Sequence, residues 1–585
     1  MHVTGSLGHR QSFGVIQMSV SAESTIQCQI AVELTSQLKR AFSALISAAF
    51  RILGAVPQAF NEAALWRCTD DASMNVHLRR ACLQAGLRAS PMRNQQLLSD
   101  TPPAEFRKQL HELADWIADF RENIDRLRVA PNDKPGAIRE QLCKHAPEKG
   151  EPFEKILTDV DHIIVPGMVH WSHPMFLGYF GWTSTAPGIL GEILTAPLNV
   201  NAMTWRTCPA ATELETVVID WLREWVGLPG EFDGVIYDTA SVGIMHALAV
   251  AREEAAPETR KLGLTDRNLP RLRIYTSDQA HSSAEKAAIA LGLGEENVIR
   301  IPSDDHFRMD LNLLGQRIAN DRQNGLQPMA VIATVGTTSA ASVDPIRDIG
   351  NVCREPKIWL HIDAAYGGGF AMVPEYEWMR EGWELADSIV INPHKTVFVP
   401  LDFSVLYVRD LARLRRVFSL VPEYLRGDTV EAEKNYMDYG IQLGRRFRAL
   451  KAWVIWRSLG RAGIVARLRD QMHLANLLVQ WIKKDNRFEL SAQPSMGVVC
   501  FRFVGDAAPS PHAADAARGS AGSIDRIDRI NSDIVERINA SGRAYLTQTK
   551  LRDRTVMRIG LGNVLTTEEH LCKGWEIIQK TATNL

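Results

Sequence analysis

A lysine closes an apolar run near residue 390. Residues 388–391, "SIVI", have the composition of a buried strand, and Asn392, Pro393, His394 and Lys395 follow directly. Lysine is uncommon at buried positions, because its charged form loses hydration there. A partly buried lysine amine has an accessible neutral form, and a neutral amine can form a Schiff base with an aldehyde. Lys395 is therefore a candidate nucleophile.

Polar residues also follow four other strand-like runs. They are Ser241 after "GVIYDTA", His281 after "IYTSDQA", Thr338 at the end of "ATVGTT" and Asp363 in "WLHIDAAYGGG". In an open α/β sheet, ligands bind beyond the carboxyl ends of the strands. Each residue alone has an ordinary alternative, because aspartate can cap or pair, histidine can be a core residue and serine can be an N-cap. Lys395 could likewise extend to the surface.

Taken together, these residues fit one aldehyde cofactor that carries a phosphate. A carboxylate such as Asp363, placed against a pyridine nitrogen, keeps that nitrogen protonated and makes the ring a better electron acceptor. A turn with Ser241 at a helix N-terminus offers N–H groups and a dipole to a phosphate. The imidazole of His281 can stack on the ring, and Lys395 can hold the aldehyde. The four roles together describe pyridoxal phosphate (PLP).

The elements that must position these residues alternate between strand and helix patterns from about residue 232 to 410. The strand-like runs are "GVIYDT", "LRIYTS", "PMAVIATVG", "IWLHIDAAY", "SIVINPHK" and "FSVLYVRD". Most are separated by helix-forming segments, which is typical of a largely parallel sheet covered on both faces. The sequence therefore predicts an α/β fold.

The C-terminal part has a different pattern. A helical region covers about residues 444–485, "GVVCFRFVG" and "TVMRIGLG" predict strands, and "TTEEHLCKGWEIIQKTA" predicts a closing helix. Residues 505–523 are rich in Ala, Ser, Gly and Pro, which predicts a flexible surface loop. We expect these elements to form a smaller α+β domain.

Near residue 100 the sequence predicts an amphipathic helix. Its apolar stripe at steps of four and three consists of Phe106, Leu110, Leu113, Ile117, Phe120 and Ile124. The preceding residues are irregular, and "FSALISAAFRILGAV" does not begin near Met1, so we do not expect a secretory signal. We expect Met92 to be the biological start and residues 1–91 to be an extension that is not native or is disordered. Mass spectrometry of the natively expressed protein tests this expectation.

The composition is that of an ordinary globular protein. The 585 residues are 45% hydrophobic and 23% charged, and Lys+Arg 66 against Asp+Glu 68 gives a formal net charge of −2. This balance gives no reason to expect a nucleic-acid or membrane partner, and no apolar run reaches the length of a membrane span. The eight cysteines show no CxxC pair or zinc-like spacing, which favours reduced cysteines in a cytoplasmic protein.

The chain resembles the group II pyridoxal-phosphate-dependent decarboxylases, and among them the aromatic-L-amino-acid decarboxylases. The resemblance extends from about Pro102 to the C-terminus, and its motifs are "CPAATELETVVIDWL", "TSDQAHSSAEKA", "ATVGTTSAASVDP", "HIDAAYGG", "NPHKT" and "LGRRFRALKAW". It implies a type I PLP-dependent fold, similar to aspartate aminotransferase. The expected regions are the extension 1–91, an N-terminal helical arm at 92–180, a large PLP-binding domain at 181–450 and a small domain at 451–585.

The resemblance implies a role for each matching residue. Lys395 matches the lysine that forms the Schiff base with PLP, Asp363 the partner of the pyridine nitrogen, and His281 the histidine stacked on the ring. The other expected cofactor contacts are Ala240 and Ser241 at the phosphate, Asn392 beside it, Thr338, and His394 before the lysine. Tyr424 in "VPEYLRGD" matches a tyrosine on a mobile loop that protonates the substrate Cα after CO2 leaves.

The substrate pocket is expected to be aromatic. The residues that match the substrate side of the family are Trp171, Tyr179, Phe180, Trp182, Met203 and Gly444. Trp182 departs from the family, because Gly181-Trp182 stands where animal relatives carry proline and threonine. The alternative is that Trp171, Phe180 and Trp182 are core residues. A second departure is Val242, where relatives commonly carry glutamate.

The resemblance implies a homodimeric enzyme with its active site at the interface. The expected reaction is decarboxylation of an aromatic L-amino acid (Phe, Tyr, Trp or DOPA) to its amine and CO2. Three alternatives stay open: a decarboxylase of another amino acid such as glutamate, an aromatic aldehyde synthase, and an inactive binding relative. The first needs an arginine aimed at a distal carboxylate. Tyr424 and His281 disfavour the second, since aldehyde-forming relatives typically change one of them.

Overall fold

The computed structural model describes residues 100–181, 184–355, 357–420, 433–505 and 521–585. The chain divides into two compact units, Met1–Pro103 and Ala104–Leu585, and the described residues belong almost entirely to the second. The expectations for Met92 and residues 1–91, for Trp182 and for Tyr424 lie outside the described residues. So does most of the predicted loop 505–523, whose last three residues are helical.

The larger sheet has seven strands and carries the residues singled out above. They are β1 (Asp233–Tyr237), β2 (Leu272–Ser277), β3 (Val298–Ile301), β4 (Gln327–Thr334), β5 (Trp359–Asp363), β6 (Ser388–Ile391) and β7 (Ser404–Val408), in the spatial order β1-β7-β6-β5-β4-β2-β3. β7 is antiparallel to β1 and β6, and the other pairs are parallel. The predicted α/β fold is confirmed. β3 ("VIRI") was missed because it has only four residues, of which only the first and the last are buried.

The smaller sheet is antiparallel and has four strands. They are β8 (Phe488–Leu490), β9 (Val498–Phe503), β10 (Thr547–Leu551) and β11 (Arg554–Gly560), in the order β10-β11-β9-β8. The two strands predicted from apolar runs are present as β9 and β11. β10 has the polar sequence "TQTKL" and β8 has three residues, so neither gives an apolar signal.

Helices pack against both sheets. They are α1 (Pro103–Asn123), α2 (Ala137–Gln141), α3 (Phe153–Asp159), α4 (Ala186–Leu198), α5 (Pro209–Val226), α6 (Ala240–Ala255), α7 (Thr259–Leu262), α8 (Ser283–Ala290), α9 (Leu311–Gln323), α10 (Ile346–Arg354), α11 (Pro393–Thr396), α12 (Leu411–Phe418), α13 (Arg448–Lys484), α14 (Ala521–Ser541) and α15 (Glu568–Thr583). Local sequence sets their ends: α5 begins at Pro209 and ends at Val226, and the following C-cap residue Gly227 has a φ of 70°. α13 is interrupted by non-helical backbone at Gly460.

Two hydrophobic clusters form the core. The larger surrounds the seven-stranded sheet, and the smaller surrounds the four-stranded sheet. Met175, Phe176 and Leu177, from the predicted N-terminal arm, are buried in the smaller cluster. The predicted domain boundaries stay a prediction, but the segment expected to bind substrate is packed into the core of the small sheet.

Helix α1 bears the predicted apolar stripe as far as Phe120, and none of the helix residues is buried within the chain, whereas Ile124, the last residue of the stripe, follows the helix and is buried. Phe106 is 53% exposed and Leu110 is 43% exposed. Helix α4 likewise leaves Leu190, Ile193 and Leu194 exposed. Apolar helix faces of this extent are unusual on a monomer surface. No helix of the described residues is long and apolar enough to cross a membrane.

Candidate active site

Lys395 lies in the short helix α11, which begins two residues after β6 ends. Its backbone N–H donates to the Asn392 carbonyl at 2.8 Å, and its side chain is half-buried. The Nζ atom lies 5.0 Å from the centroid of the Phe180 ring. Burial lowers the pKa of Lys395, the Asp363 carboxylate opposes this shift, and the Arg558 guanidinium adds to it. The neutral, nucleophilic amine is therefore more accessible than in a free lysine.

Asp363 is the last residue of β5 and is buried. Register places it beside Thr334 of β4 and Val390 of β6, so it lies at the same sheet edge as the turn that carries Lys395. Its Oδ1 atom accepts the Ala365 N–H at 3.1 Å. A buried carboxylate beside a lysine amine suits a ring that has an electrophilic carbon and a basic nitrogen.

His281 follows β2 and lies just before α8. Its ring is solvent-accessible, and Nδ1 accepts the Ser283 N–H at 3.2 Å. Desolvation by neighbouring atoms lowers the pKa of His281, with Asp363 opposing the shift and Lys395 adding to it. These three side chains thus act on one another, although they come from three different strand ends.

The N-terminus of α6 carries the two residues predicted to bind the cofactor phosphate. Ala240 and Ser241 form its first turn, and the N-cap residue Thr239 makes no side-chain capping bond. The 16-residue helix therefore offers uncapped N–H groups and its positive end to an anion. Asn392, three residues before Lys395, is buried, and its Oδ1 atom has no hydrogen-bond partner in the described chain.

The other two predicted cofactor contacts are placed differently from each other. Thr338 is exposed at the strand edge, and its carbonyl accepts from Arg558 Nε at 3.0 Å. His394 is buried, and its Nδ1 accepts the Phe403 N–H at 3.0 Å. Burial, reinforced by Lys395, lowers the pKa of His394 to about 3, so the imidazole is neutral at physiological pH. His394 thus supports the turn that presents Lys395.

Arg558 of β11 is a site residue that the sequence did not reveal. It is 4% exposed, its guanidinium lies 4.8 Å from the Phe180 ring centroid, and it donates to the carbonyls of Thr338, Ser339 and Tyr179. Its Nη2 atom has no hydrogen-bond partner in the described chain. The available signal was a single arginine inside the otherwise apolar strand "TVMRIG".

The predicted aromatic residues form two stacks. Phe180 stacks on Tyr366, with 4.2 Å between ring centroids, next to Lys395. Tyr179 stacks on Trp171 at 5.0 Å and is 45% exposed. Tyr545, which the sequence did not reveal, lies 6.3 Å from the Tyr179 ring. The core alternative therefore applies to Phe180 only in part, because its ring is buried and also contacts the lysine.

Met203 and Gly444 lie together in a second group around Asn201. The Asn201 amide donates to the Met203 sulfur at 3.4 Å, and a Cβ atom on Gly444 would lie 4.0 Å from that amide nitrogen. Behind them, Arg445 and Glu215 form a buried ion pair at 2.6 Å. The unusual Val242 is partly buried and packs against the large core, so the valine gains apolar contact where a glutamate would carry charge.

The residues present fit PLP. Three groups meet at one sheet edge: a lysine with a lowered pKa, a buried carboxylate and an accessible imidazole. An uncapped helix N-terminus follows another strand of the same sheet, β1. Asn392 Oδ1 and Arg558 Nη2 are buried without a hydrogen-bond partner in the described chain, so each can bind a polar group of a ligand. The described residues contain no group of acidic, histidine or cysteine side chains that could hold a metal ion.

Such a site on a mainly parallel α/β sheet defines the class of PLP-dependent enzymes. Residues 135–504 match the pyridoxal-dependent decarboxylase conserved domain. The chain belongs to the pyridoxal-dependent decarboxylase family, and its cofactor is pyridoxal phosphate. The suspected family and the enzyme class are thereby confirmed.

Relatives of known activity cover most of both chains. Phenylacetaldehyde synthase of a Rosa hybrid cultivar is 35% identical over 83% of this chain and 96% of its own, and aromatic-L-amino-acid decarboxylase of Bos taurus is 35% identical over 82% and 97%. Among solved structures, Oryza sativa TDC with PLP and tryptamine has a TM-score of 0.78 at 32% identity, over 83% of this chain and 99% of that one. The predicted type I fold is confirmed by this likeness.

Proposed function

We propose that this enzyme decarboxylates an aromatic L-amino acid (Phe, Tyr, Trp or DOPA) to its amine and CO2. The observation that carries the proposal is the Phe180 ring, which stacks on Tyr366 and lies against Lys395 Nζ. An apolar, aromatic wall beside the nucleophile favours a flat side chain over a charged one. Relatives named tyrosine decarboxylase and tryptophan decarboxylase, at 36% and 33% identity, support the same substrate class.

The proposed roles follow from the positions of the side chains. When bound, PLP supplies an electron sink for the electrons of the breaking Cα–carboxylate bond. Lys395 holds the aldehyde carbon, Asp363 keeps the pyridine nitrogen protonated, and His281 covers one ring face. The uncapped turn at Ala240 and Ser241 binds the phosphate, Asn392 lies beside it, and Thr338 contacts the cofactor.

We assign Arg558 to the carboxylate of the incoming amino acid. Its guanidinium is buried, and three backbone carbonyls fix its orientation while Nη2 stays unpaired. A carboxylate is the group that best pairs with such a nitrogen. Binding of Arg558 to a distal carboxylate instead would favour glutamate, so L-glutamate belongs in the substrate panel as the competing substrate.

The second candidate outcome is an aromatic aldehyde. Two relatives support this outcome. The chain is similar to phenylacetaldehyde synthase, and it is similar to the structure of Rhodiola rosea 4-hydroxyphenylacetaldehyde synthase, which has a TM-score of 0.75 at 32% identity. Retention of Tyr424 and His281 favours the amine, since a tyrosine hydroxyl can return a proton to Cα.

We propose a homodimer whose active site is completed at the interface. The support is the apolar surface of α1 and α4, on which Phe106, Leu190 and Leu198 are each more than half exposed. Met203 and Gly444 would then form the part of the pocket that faces the partner. Light scattering of the purified protein tests this, and a stable monomer with full activity would refute it. We also propose a cytoplasmic location, which fractionation of the native cells tests.

The reaction is tested by mass spectrometry of products. The purified enzyme with PLP is incubated with a mixture of L-phenylalanine, L-tyrosine, L-tryptophan, L-DOPA and L-glutamate. We expect phenethylamine, tyramine, tryptamine or dopamine. An aromatic aldehyde would show that Tyr424 does not have its proposed role, and γ-aminobutyrate would overturn the aromatic pocket. His281→Phe and Tyr424→Phe are the matched variants, and Tyr424→Phe is expected to shift the product towards aldehyde.

A further inference from the structure

His361 is a buried histidine that the proposed reaction does not use. It lies on β5 two residues before Asp363, so the two side chains extend from the same face of the strand. Register pairs His361 with Ser388 of β6. Both His361 and Ser388 are 0% exposed. The pair therefore lies directly behind the carboxylate proposed to hold the pyridine nitrogen.

A hydrogen-bond chain fixes the proton of this imidazole. Trp359 Nε1 donates to Ser388 Oγ at 2.9 Å, and Ser388 Oγ lies 2.8 Å from His361 Nδ1. An indole N–H is only a donor, so the serine oxygen accepts from Trp359 and keeps its own hydrogen to give. In the described chain this hydroxyl has no acceptor other than His361 Nδ1. Nδ1 is therefore the acceptor, and the neutral ring carries its proton on Nε2.

The Nε2–H group is a buried donor with no partner in the described residues. Burial lowers the pKa of His361 to about 4, opposed by the charge of Asp363, so the ring is neutral at physiological pH. Leaving a buried donor unpaired is energetically unfavourable. Asp363 Oδ1 accepts the Ala365 N–H at 3.1 Å, and Asp363 lies on the same face of β5 as His361.

We propose that the chain Trp359–Ser388–His361 makes His361 a positioning residue for Asp363. The imidazole is held as the Nε2–H form, and the positive end of that N–H favours Asp363 as a carboxylate. Only the carboxylate can keep the pyridine nitrogen of PLP protonated. This inference rests on the proposed role of Asp363. A chain that merely joins β5 to β6 would affect stability and leave the cofactor unaffected.

The test measures PLP dissociation from the full-length protein by absorbance, together with the melting temperature of the apoenzyme. His361→Gln and Ser388→Ala are each expected to weaken PLP binding roughly tenfold, because each change removes the oriented Nε2–H dipole that favours the charged form of Asp363. The double variant should bind PLP no more weakly than either single variant, because both substitutions break the same hydrogen-bond chain. Ser388→Thr keeps the hydroxyl in a strand position that accepts a β-branched residue, and it should retain the wild-type affinity.

His246→Phe is the matched control. His246 is also fully buried with both ring nitrogens unpaired, but it lies in α6 between the rings of Tyr237 and Phe418. The His246→Phe variant should change the melting temperature of the apoenzyme and leave the PLP affinity within about twofold of the wild-type value. Unchanged PLP affinity in His361→Gln and Ser388→Ala, at a lowered melting temperature, would overturn the inference. A wild-type protein that takes up no PLP would instead overturn the proposed cofactor site itself.

Discussion

The cofactor side and the substrate side of this site are built in different ways. Asp363 ends β5, and Lys395 follows the end of the neighbouring parallel strand β6, so the register of one sheet brings them together. Tyr179 and Phe180 belong to a segment that packs on the small sheet, where Arg558 donates a hydrogen bond to the Tyr179 carbonyl. One side depends on strand order and the other on close contact between distant backbone segments. We therefore expect variants to separate cofactor binding from substrate binding.

The largest effect is expected on the cofactor side. Lys395→Ala removes the amine that holds the aldehyde, so kcat should fall roughly a thousandfold or more. Folding should persist, because the side chain makes no ion pair in the described structure. Lys451→Ala, at the buried lysine that pairs with Glu192 at 2.5 Å, is the control. It should lower the melting temperature while leaving the PLP absorbance band in place.

Arg558→Met should mainly damage the substrate side. Loss of a buried guanidinium that pairs with a carboxylate is expected to lower kcat/KM on the order of a hundredfold, while PLP stays bound. Arg558→Lys keeps the charge without the fork of donors and should recover only part of this loss. Equal losses of PLP affinity and of kcat/KM would show that the two sides are not separable.

The same variant predicts a shift with pH. Arg558 contributes to the lowered pKa of Lys395, so its removal should raise that pKa. Capture of PLP by the apoenzyme requires the neutral amine, which is present only above the lysine pKa. The rate of PLP capture by Arg558→Met should therefore rise at higher pH than in the wild type. Stopped-flow absorbance across the pH range measures this, and an acid shift would contradict it.

Gly560 tests the close backbone contact on the substrate side. A Cβ atom there would overlap the Tyr179 carbonyl oxygen, and one at Gly562 would overlap the Phe180 carbonyl oxygen. Gly560→Ala should displace the segment and raise KM roughly tenfold, because small displacements of positioning groups are costly. Gly315→Ala, in α9 with open space around it, is the control and should stabilise the fold slightly. A higher PLP dissociation constant in Gly560→Ala, with KM unchanged, would contradict the separation.

The smallest effect concerns the aromatic wall. Phe180→Leu keeps an apolar side chain but loses the stacking on Tyr366 and the ring that faces Lys395. Such contacts contribute about 1 kcal/mol each, so kcat/KM for aromatic substrates should fall only about fivefold. Competition between L-tryptophan and L-glutamate measures the change, and a variant with unaltered preference would show that Phe180 is a core residue alone.

The sequence predicted the cofactor side well for a physical reason. Residues such as Asp363 follow strong apolar runs, and parallel strands align their carboxyl ends, so position along the chain implies position in space. Arg558 could not be placed this way, because its partners Thr338 and Tyr179 lie more than two hundred residues away in sequence and no periodic pattern links them. Tyr545 precedes β10, whose polar sequence gave no strand signal.

The most direct test of the account is peptide mapping after borohydride reduction of the PLP-loaded enzyme. Reduction fixes the cofactor on the lysine that holds it, and mass spectrometry locates the added pyridoxyl group. The account predicts modification of Lys395 alone. Modification of the other buried lysine, Lys451, or no modified lysine in an enzyme that decarboxylates amino acids, would contradict it.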